Sequence, residues 1–412
     1  MPSYLRGWKL LLLLCLANFV AYVTVFEVPP IIGDLVQNFR ITYAQAGLLM
    51  TVYAAIRALG SLLAGMFSDR YGVKYIVLGG LILVSLAGFL CAVTTSYPAL
   101  LTWRVLVGIG ATAIFIPALS ISMFQLSPQQ VNLATGTFFS SMNLGLAVAL
   151  FATPIWAASF GWRMPLKTFA GVGFGVAIVF FIFTWGRSLW QAPPPVASRP
   201  GKSGVVLGAY SIRNVPLLII CSTYFLMLFQ SYGMITWLPE YLRTVHLYSP
   251  DAVGSVSMLL GLVMIPGTAA AGWLSDRIGA WLVGIIGATL CGLSPAVLIL
   301  LPHLSLAGVF LNVFILALGT SFLVVPLTSI LSFLVPPQDS GKAVGLVHTA
   351  GYVGSLVSTY LGGYLLTIFG TYTWSFVIYS LSMLVTLVLL IIVRKSYVEA
   401  RFSFGPTSVT PT

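Results

Sequence analysis

Four ionisable side chains stand inside long apolar stretches of this sequence: Glu27, Arg57, Arg104 and His348. Placing a charge in hydrocarbon costs at least ~2.5–3.5 kcal/mol, so each of them needs a task or a partner. Neither Arg57 nor His348 has an obvious acidic partner. A guanidinium fork suits a carboxylate or a nitrate-like oxyanion, which makes Arg57 the first candidate for holding an anion. His348, whose ordinary pKa is about 6.5, is the candidate for carrying a proton. Glu27 and Arg104 lie at similar heights, each a few residues from the same end of its segment, and this allows an ion pair or a gate. Helical phasing sets Glu27 opposite Asn18 and Tyr22, with Pro29 and Pro30 as the cause of a kink. Further polar candidates for a shared cavity are Tyr22, Asn143, Tyr224, Gln230, Trp237, Asn312 and Tyr352, the last continuing a polar stripe from His348 through Ser355 and Thr359. Paired carboxylates, a nucleophile triad, a nucleotide loop and a metal-ligand cluster are all missing from the sequence, so neither an enzyme nor a cofactor or metal is expected.

The elements that hold these residues are set by composition. Of 412 residues 59% are hydrophobic and 7% charged, against roughly a quarter charged in soluble proteins. Apolar runs long enough to cross ~30 Å of hydrocarbon as helix recur at 9–32, 44–66, 75–96, 98–123, 131–156, 164–187, 214–239, 251–273, 280–302, 304–327, 340–366 and 372–394. The expected fold is therefore an all-α membrane protein of twelve transmembrane helices. The first run is too long for a signal peptide and is followed by Val28-Pro-Pro rather than a small-residue cleavage site, so it reads as a retained helix. Cys15, Cys91, Cys221 and Cys291 all fall inside spans and read as small apolar packing residues.

A net charge of +11 suggests nucleic acid in a soluble protein, but its distribution explains it better. With the N-terminus inside, thirteen of the nineteen Lys and Arg fall on the cytoplasmic side and four, Arg40, Arg163, Lys167 and Arg243, fall outside. This is the positive-inside bias. It places both termini in the cytoplasm and the chain in the plasma membrane, with no nucleic-acid partner.

The segment Gly65-Met-Phe-Ser-Asp-Arg-Tyr-Gly-Val-Lys74 returns 207 residues later as Gly272-Trp-Leu-Ser-Asp-Arg-Ile-Gly-Ala-Trp281. Each copy follows the second helix of a six-helix set, and between the sets lies one polar linker. The expected organisation is an N-terminal six-helix bundle at 1–187, a cytoplasmic linker at 188–213, a C-terminal six-helix bundle at 214–394 and a cytoplasmic tail at 395–412. The repeated segment resembles the loop motif of the major facilitator superfamily, and Arg104-Val-Leu-Val-Gly-Ile-Gly110 resembles that family's fourth-helix pattern. The resemblance implies two pseudo-symmetric bundles working by alternating access. It also implies a latch in which Asp69, with Gly65, Arg70, Gly72 and Lys74, engages the start of the eleventh helix near Lys342, and Asp276, with Gly272, Arg277 and Gly279, does the same in the second half. Such a latch is made in the outward-facing state and broken in the inward-facing one.

The fifth-helix run Asn143-Leu-Gly-Leu-Ala-Val-Ala-Leu-Phe-Ala-Thr-Pro154 and the seventh-helix ending Thr236-Trp-Leu-Pro-Glu-Tyr-Leu242 are similar to the nitrate/nitrite and cyanate transporter-like branch and to the organic anion:cation symporters. The glycine-rich nitrate signature and a second basic residue in the eighth helix are not present. These resemblances imply a monomeric secondary transporter of a small organic or inorganic anion, with symport of a proton as the coupling scheme. Efflux of lipophilic compounds and a non-transporting sensor are the alternatives the sequence leaves open.

Overall fold

The computed structural model describes residues 3–124, 130–185, 215–334 and 340–404, so the expected linker and the end of the expected tail lie outside the described residues. Within them the chain is helical, with eleven segments long and apolar enough to cross a membrane. The twelfth span is Tyr43–Tyr71, the segment that carries Arg57 and the acid and base of the loop motif. In order, the spans are Ser3–Phe26, Tyr43–Tyr71, Val73–Val93, Tyr97–Phe124, Val131–Phe160, Arg163–Thr184, Val215–Thr244, Pro250–Ile278, Ala280–Leu300, Leu306–Leu334, Ser340–Phe369 and Thr373–Phe404.

Local chemistry explains where the helices begin and break. Pro29 and Pro30 end the first span, and a short amphipathic helix, Ile32–Phe39, lies between it and the second. The second span opens on a capping box: Thr42 accepts from the Gln45 amide at 3.2 Å, and the Gln45 side chain accepts from the Thr42 amide at 2.9 Å. The eighth span is broken into Pro250–Ser257, Leu259–Leu262 and Met264–Ile278. Pro266 has no N–H and its ring crowds the carbonyl one turn back, which accounts for the second break.

The two halves are copies in three dimensions. Gly72 and Gly279, the matched glycines of the repeated motif, turn the chain with φ/ψ of 86°/141° and 92°/139°, a left-handed region that a β-carbon disfavours. The third span packs on the fourth and sixth, and the ninth packs on the tenth and twelfth. A β-carbon on Gly80 would lie 2.9 Å from the Gly110 carbonyl oxygen, and one on Gly287 would lie 2.8 Å from that of Gly319. The same helix crossing thus rests on the same pair of glycines in each half, the small-residue contact that lets membrane helices approach.

Between the halves the second span packs on the eleventh and the fifth on the eighth. Among the described residues, every hydrogen bond and ion pair joining the halves lies between Arg57, at mid-span, and the end of the bundle away from the termini. Thr51 meets Thr359 at 2.9 Å, and the Ala44 amide donates to the Thr367 hydroxyl at 3.0 Å. On the other seam, Gly254 and Gly261 press against backbone atoms of Phe151 and Ala147. The molecule is closed across its far half.

Candidate functional site

Arg57 occupies the middle of the second span and is fully buried. Its Nε donates to the Tyr352 hydroxyl at 3.1 Å and its Nη2 to the Tyr22 hydroxyl at 3.4 Å. The guanidinium carbon lies 3.7 Å above the centre of the Phe115 ring and 5.3 Å from that of Tyr352. Stacking on a desolvated ring is worth up to ~2 kcal/mol. The first, fourth and eleventh spans therefore converge on one guanidinium, and the two halves of the molecule meet at it. Tyr53 stands one turn before Arg57 on the same helix, where a four-residue spacing puts both on one face. It is fully buried, and its hydroxyl faces those of Tyr22 and Tyr232.

The sequence-derived candidates separate into two groups. Tyr22, Tyr352, Tyr224 and His348 gather around Arg57. Tyr224 meets the His348 ring edge-to-face at 5.1 Å, and Tyr232, which the sequence did not single out, bridges Tyr352 at 6.3 Å to Phe26 at 5.9 Å. Asn143 is buried at the fifth–eighth seam, where Gly261 meets its carbonyl. Gln230 and Asn312, by contrast, serve the interior of the second bundle. Gln230 donates to the Cys291 carbonyl at 3.4 Å, and Asn312 exchanges bonds with Ser294 at 2.7 and 3.2 Å. Trp237 donates to the Thr359 carbonyl at 3.2 Å and packs on the closed seam.

The Glu27–Arg104 ion pair that the sequence allows is not formed. Arg104 donates to the carbonyls of Thr24, Val25 and Leu49 at 2.9, 2.8 and 3.4 Å. The cause lies in the break after the first span: the carbonyl of Val25 would be served by the amide four residues on, but that residue is Pro29. Arg104 caps the orphan carbonyl of Val25 with the sign of charge that a helix C-terminus favours, and through Leu49, in the interior of the second span, it staples the first span to the second. Both Glu27 carboxylate oxygens are buried without a hydrogen bond.

Of the motif residues, the surroundings of Gly65 and the side chain of Asp69 lie outside what the structure describes, as does the side chain of Lys342. Arg70 is exposed beside the Tyr71 ring, and Asp276 and Arg277 are exposed, the latter 4.1 Å over Trp273. Lys74 donates to the Thr184 carbonyl at 2.7 Å.

Sequence reasoning missed a charged cluster at the far end. Arg243 bonds Glu240 twice, at 2.9 and 3.0 Å, and reaches Asp34 of the other half at 3.5 Å. The Tyr43 hydroxyl adds a 3.5 Å contact to Glu240, and the guanidinium lies directly over Gly33. Glu240 and Arg243 are spaced i, i+3 on the seventh span, a signal readable in advance. That Asp34 lies opposite was not, because no local pattern brings residues 209 positions apart together.

A family model for the Major Facilitator Superfamily matches residues 14–317 and 309–410. An uncharacterized MFS-type transporter of Bacillus subtilis, YceJ, is 25% identical over 354 residues, 84% of this chain and 86% of that protein. A probable sulfoacetate transporter of Cupriavidus necator, SauU, is 24% identical over 384 residues, 89% and 88% of the two chains. The crystal structure of a bacterial homologue of the human lysosomal transporter Spinster, in an inward-facing and occupied conformation, superposes with a TM-score of 0.75 at 19% identity, over 98% of both chains. Twelve spans in two matched halves, with polar side chains converging on the seam between them, define a membrane transporter scaffold. The chain belongs to the Major Facilitator Superfamily.

Proposed function

We propose that this chain is a secondary transporter that carries a small anion across the plasma membrane by alternating access, with both termini in the cytoplasm. One observation carries the reading: a guanidinium buried at mid-membrane and held by phenols from both halves, Tyr22 and Tyr352. Such a group is costly unless it works on a substrate pathway. Contact with both halves gives a bound anion different surroundings in the two states, and only a differential interaction shifts their balance. The relationship to a probable sulfoacetate transporter supports an anionic cargo. The bonded far half supports an arrangement open toward the termini, the state in which the loop-motif latch is released, and the exposed, unbonded Asp276 supports the same reading.

Uptake into proteoliposomes by the purified chain tests this directly. Arg57→Gln should abolish saturable anion uptake while leaving expression and Tm near those of the parent, and Arg57→Lys should be nearly as poor because a point charge cannot reproduce a two-pronged contact. Retained uptake at an unchanged half-saturation concentration would remove Arg57 from the pathway.

For coupling, His348 carries the proton. It shares the neighbourhood of Arg57 through Tyr352, one turn along the eleventh span, and an imidazolium next to a guanidinium is tolerated best when an anion lies between them. Anion and proton then favour each other's binding reciprocally. His348→Gln should keep substrate exchange but lose accumulation driven by a pH gradient. Accumulation that persists in this variant would shift the role to Glu27.

A further inference from the structure

We propose that the cargo is a small aromatic carboxylate, its head received by the hydroxyls of Tyr22, Tyr53 and Tyr352 and its ring by the aromatic wall around Phe115. This inference rests on the reading of Arg57 as the anion anchor and adds the substrate class.

The head group follows from counting donors. Arg57 is a donor only, so in its bonds to Tyr22 and Tyr352 the phenol oxygens accept and their own hydrogens point elsewhere. The buried Tyr53 hydroxyl, next to Arg57 on the same helix face, lies among those of Tyr22 and Tyr232, so several phenols crowd one guanidinium. The hydroxyls of Tyr22, Tyr53 and Tyr352 around this guanidinium are neutral groups that can each donate, and none of them supplies negative charge. Buried donors are normally satisfied. A ligand that completes this site brings acceptors and negative charge, and a carboxylate offers both on two oxygens.

The rest of the ligand follows from what surrounds that head. Phe115 lies under the guanidinium and meets Phe138 at 5.4 Å, Phe139 at 6.3 Å and Tyr22 at 6.4 Å between ring centres. On the opposite side Tyr232 closes on Tyr352. Ring pairs at these separations gain energy beyond the area they bury, so a flat aromatic body adds to the wall on either side. A bare inorganic anion leaves that wall without a partner. A sugar acid meets the opposite difficulty, because its many hydroxyls need bonding groups that the ring wall around Phe115 does not offer: Gln230 and Asn312 are engaged inside the second bundle, and the Asn18 amide nitrogen is bonded to Ser141 at 3.2 Å and to the Phe138 carbonyl. The partly exposed members, Tyr352 and His348, mark the side from which the ligand enters.

The test measures uptake of labelled benzoate by the full chain in proteoliposomes, with acetate, nitrate and glucuronate as parallel substrates. Benzoate is expected to show a half-saturation concentration at least ten-fold below that of acetate and to outcompete nitrate and glucuronate. Phe115→Leu, which keeps an apolar side chain at the position, should narrow the benzoate-to-acetate preference to less than three-fold, and Tyr53→Phe should raise the benzoate half-saturation concentration at least five-fold without lowering Tm. Equal handling of acetate or nitrate and benzoate, with all uptake lost in Arg57→Gln, would overturn the aromatic inference and leave the anion reading standing. Uptake of none of these anions, or uptake indifferent to Arg57→Gln, would overturn both.

Discussion

Lys74 and Trp281 hold the same place in the two copies of the loop motif, and the structure shows what the place requires. Lys74 donates to the carbonyl of Thr184 near the end of the sixth span, and the Trp281 indole N–H donates to the carbonyl of Leu390 near the end of the twelfth, at 2.8 Å. What the duplication retains is a donor that ties the start of the third helix of each half to the last. In the second half the cation has moved to the partner helix, where Arg394 stacks 4.5 Å over the Trp281 ring. The motif's loss of a basic residue is thus a change of donor, with the bond intact. Trp281→Phe keeps the ring and the stacking but removes the N–H, so it should lower stability by about 1 kcal/mol and leave transport rates within two-fold. A thermal unfolding measurement in detergent checks the first and proteoliposome uptake the second. An unchanged Tm would mean that the bond contributes nothing beyond the stacking.

At the scale of elements, the seam has two ends. The loop motif, legible from its repeat, belongs to the termini end. The cluster of Asp34, Tyr43, Glu240 and Arg243 belongs to the far end, and it ties the short helix Ile32–Phe39 to the end of the seventh span. Surface ion pairs contribute little by themselves, but Glu240 is fully buried, and a buried carboxylate that loses its cation costs several kcal/mol. Arg243→Gln should therefore favour opening at the far end. A cysteine introduced at Ala44 should react with a membrane-impermeant maleimide at least five-fold faster in that background. Equal labelling would mean that the cluster does not hold the gate. The sequence revealed the spans, the duplication, the central Arg57 and the polar stripe of His348 and Tyr352, because each of these is a local pattern of charge, apolar length or period; Tyr53, Phe115 and Tyr232 beside Arg57 it did not single out. It did not reveal the far-end cluster, the backbone role of Arg104 or the inward turn of Gln230. Each of these depends on which face of one helix meets another, and uniformly apolar membrane helices carry little amphipathic signal to fix their rotation.

The whole molecule is two halves that share one design. Equal turns at Gly72 and Gly279, and equal glycine crossings at Gly80–Gly110 and Gly287–Gly319, make each half stiff. The interface between the halves is held differently, by threonine hydroxyls, single backbone bonds and glycines set against carbonyls, among them Thr51–Thr359 and Ala44–Thr367. Bonds of this kind are individually worth about 1 kcal/mol and can be exchanged with water as the far side opens, whereas the helix crossings inside each half cannot be undone without unfolding. On the alternating-access reading proposed above, rocking of one half against the other is the motion of lowest cost, and the far-side seam must part once in every cycle. Joining it should stop the cycle. A chain carrying Ala44→Cys and Thr367→Cys, at a point where the backbone amide and hydroxyl are 3.0 Å apart, should lose more than nine-tenths of its uptake on oxidation and regain it on reduction. Each single substitution under the same treatment should transport normally, since the four native cysteines are buried inside the spans. Uptake that survives complete cross-linking of this pair would show that the halves do not separate on the far side, and the rigid-body account of transport by this chain would fail.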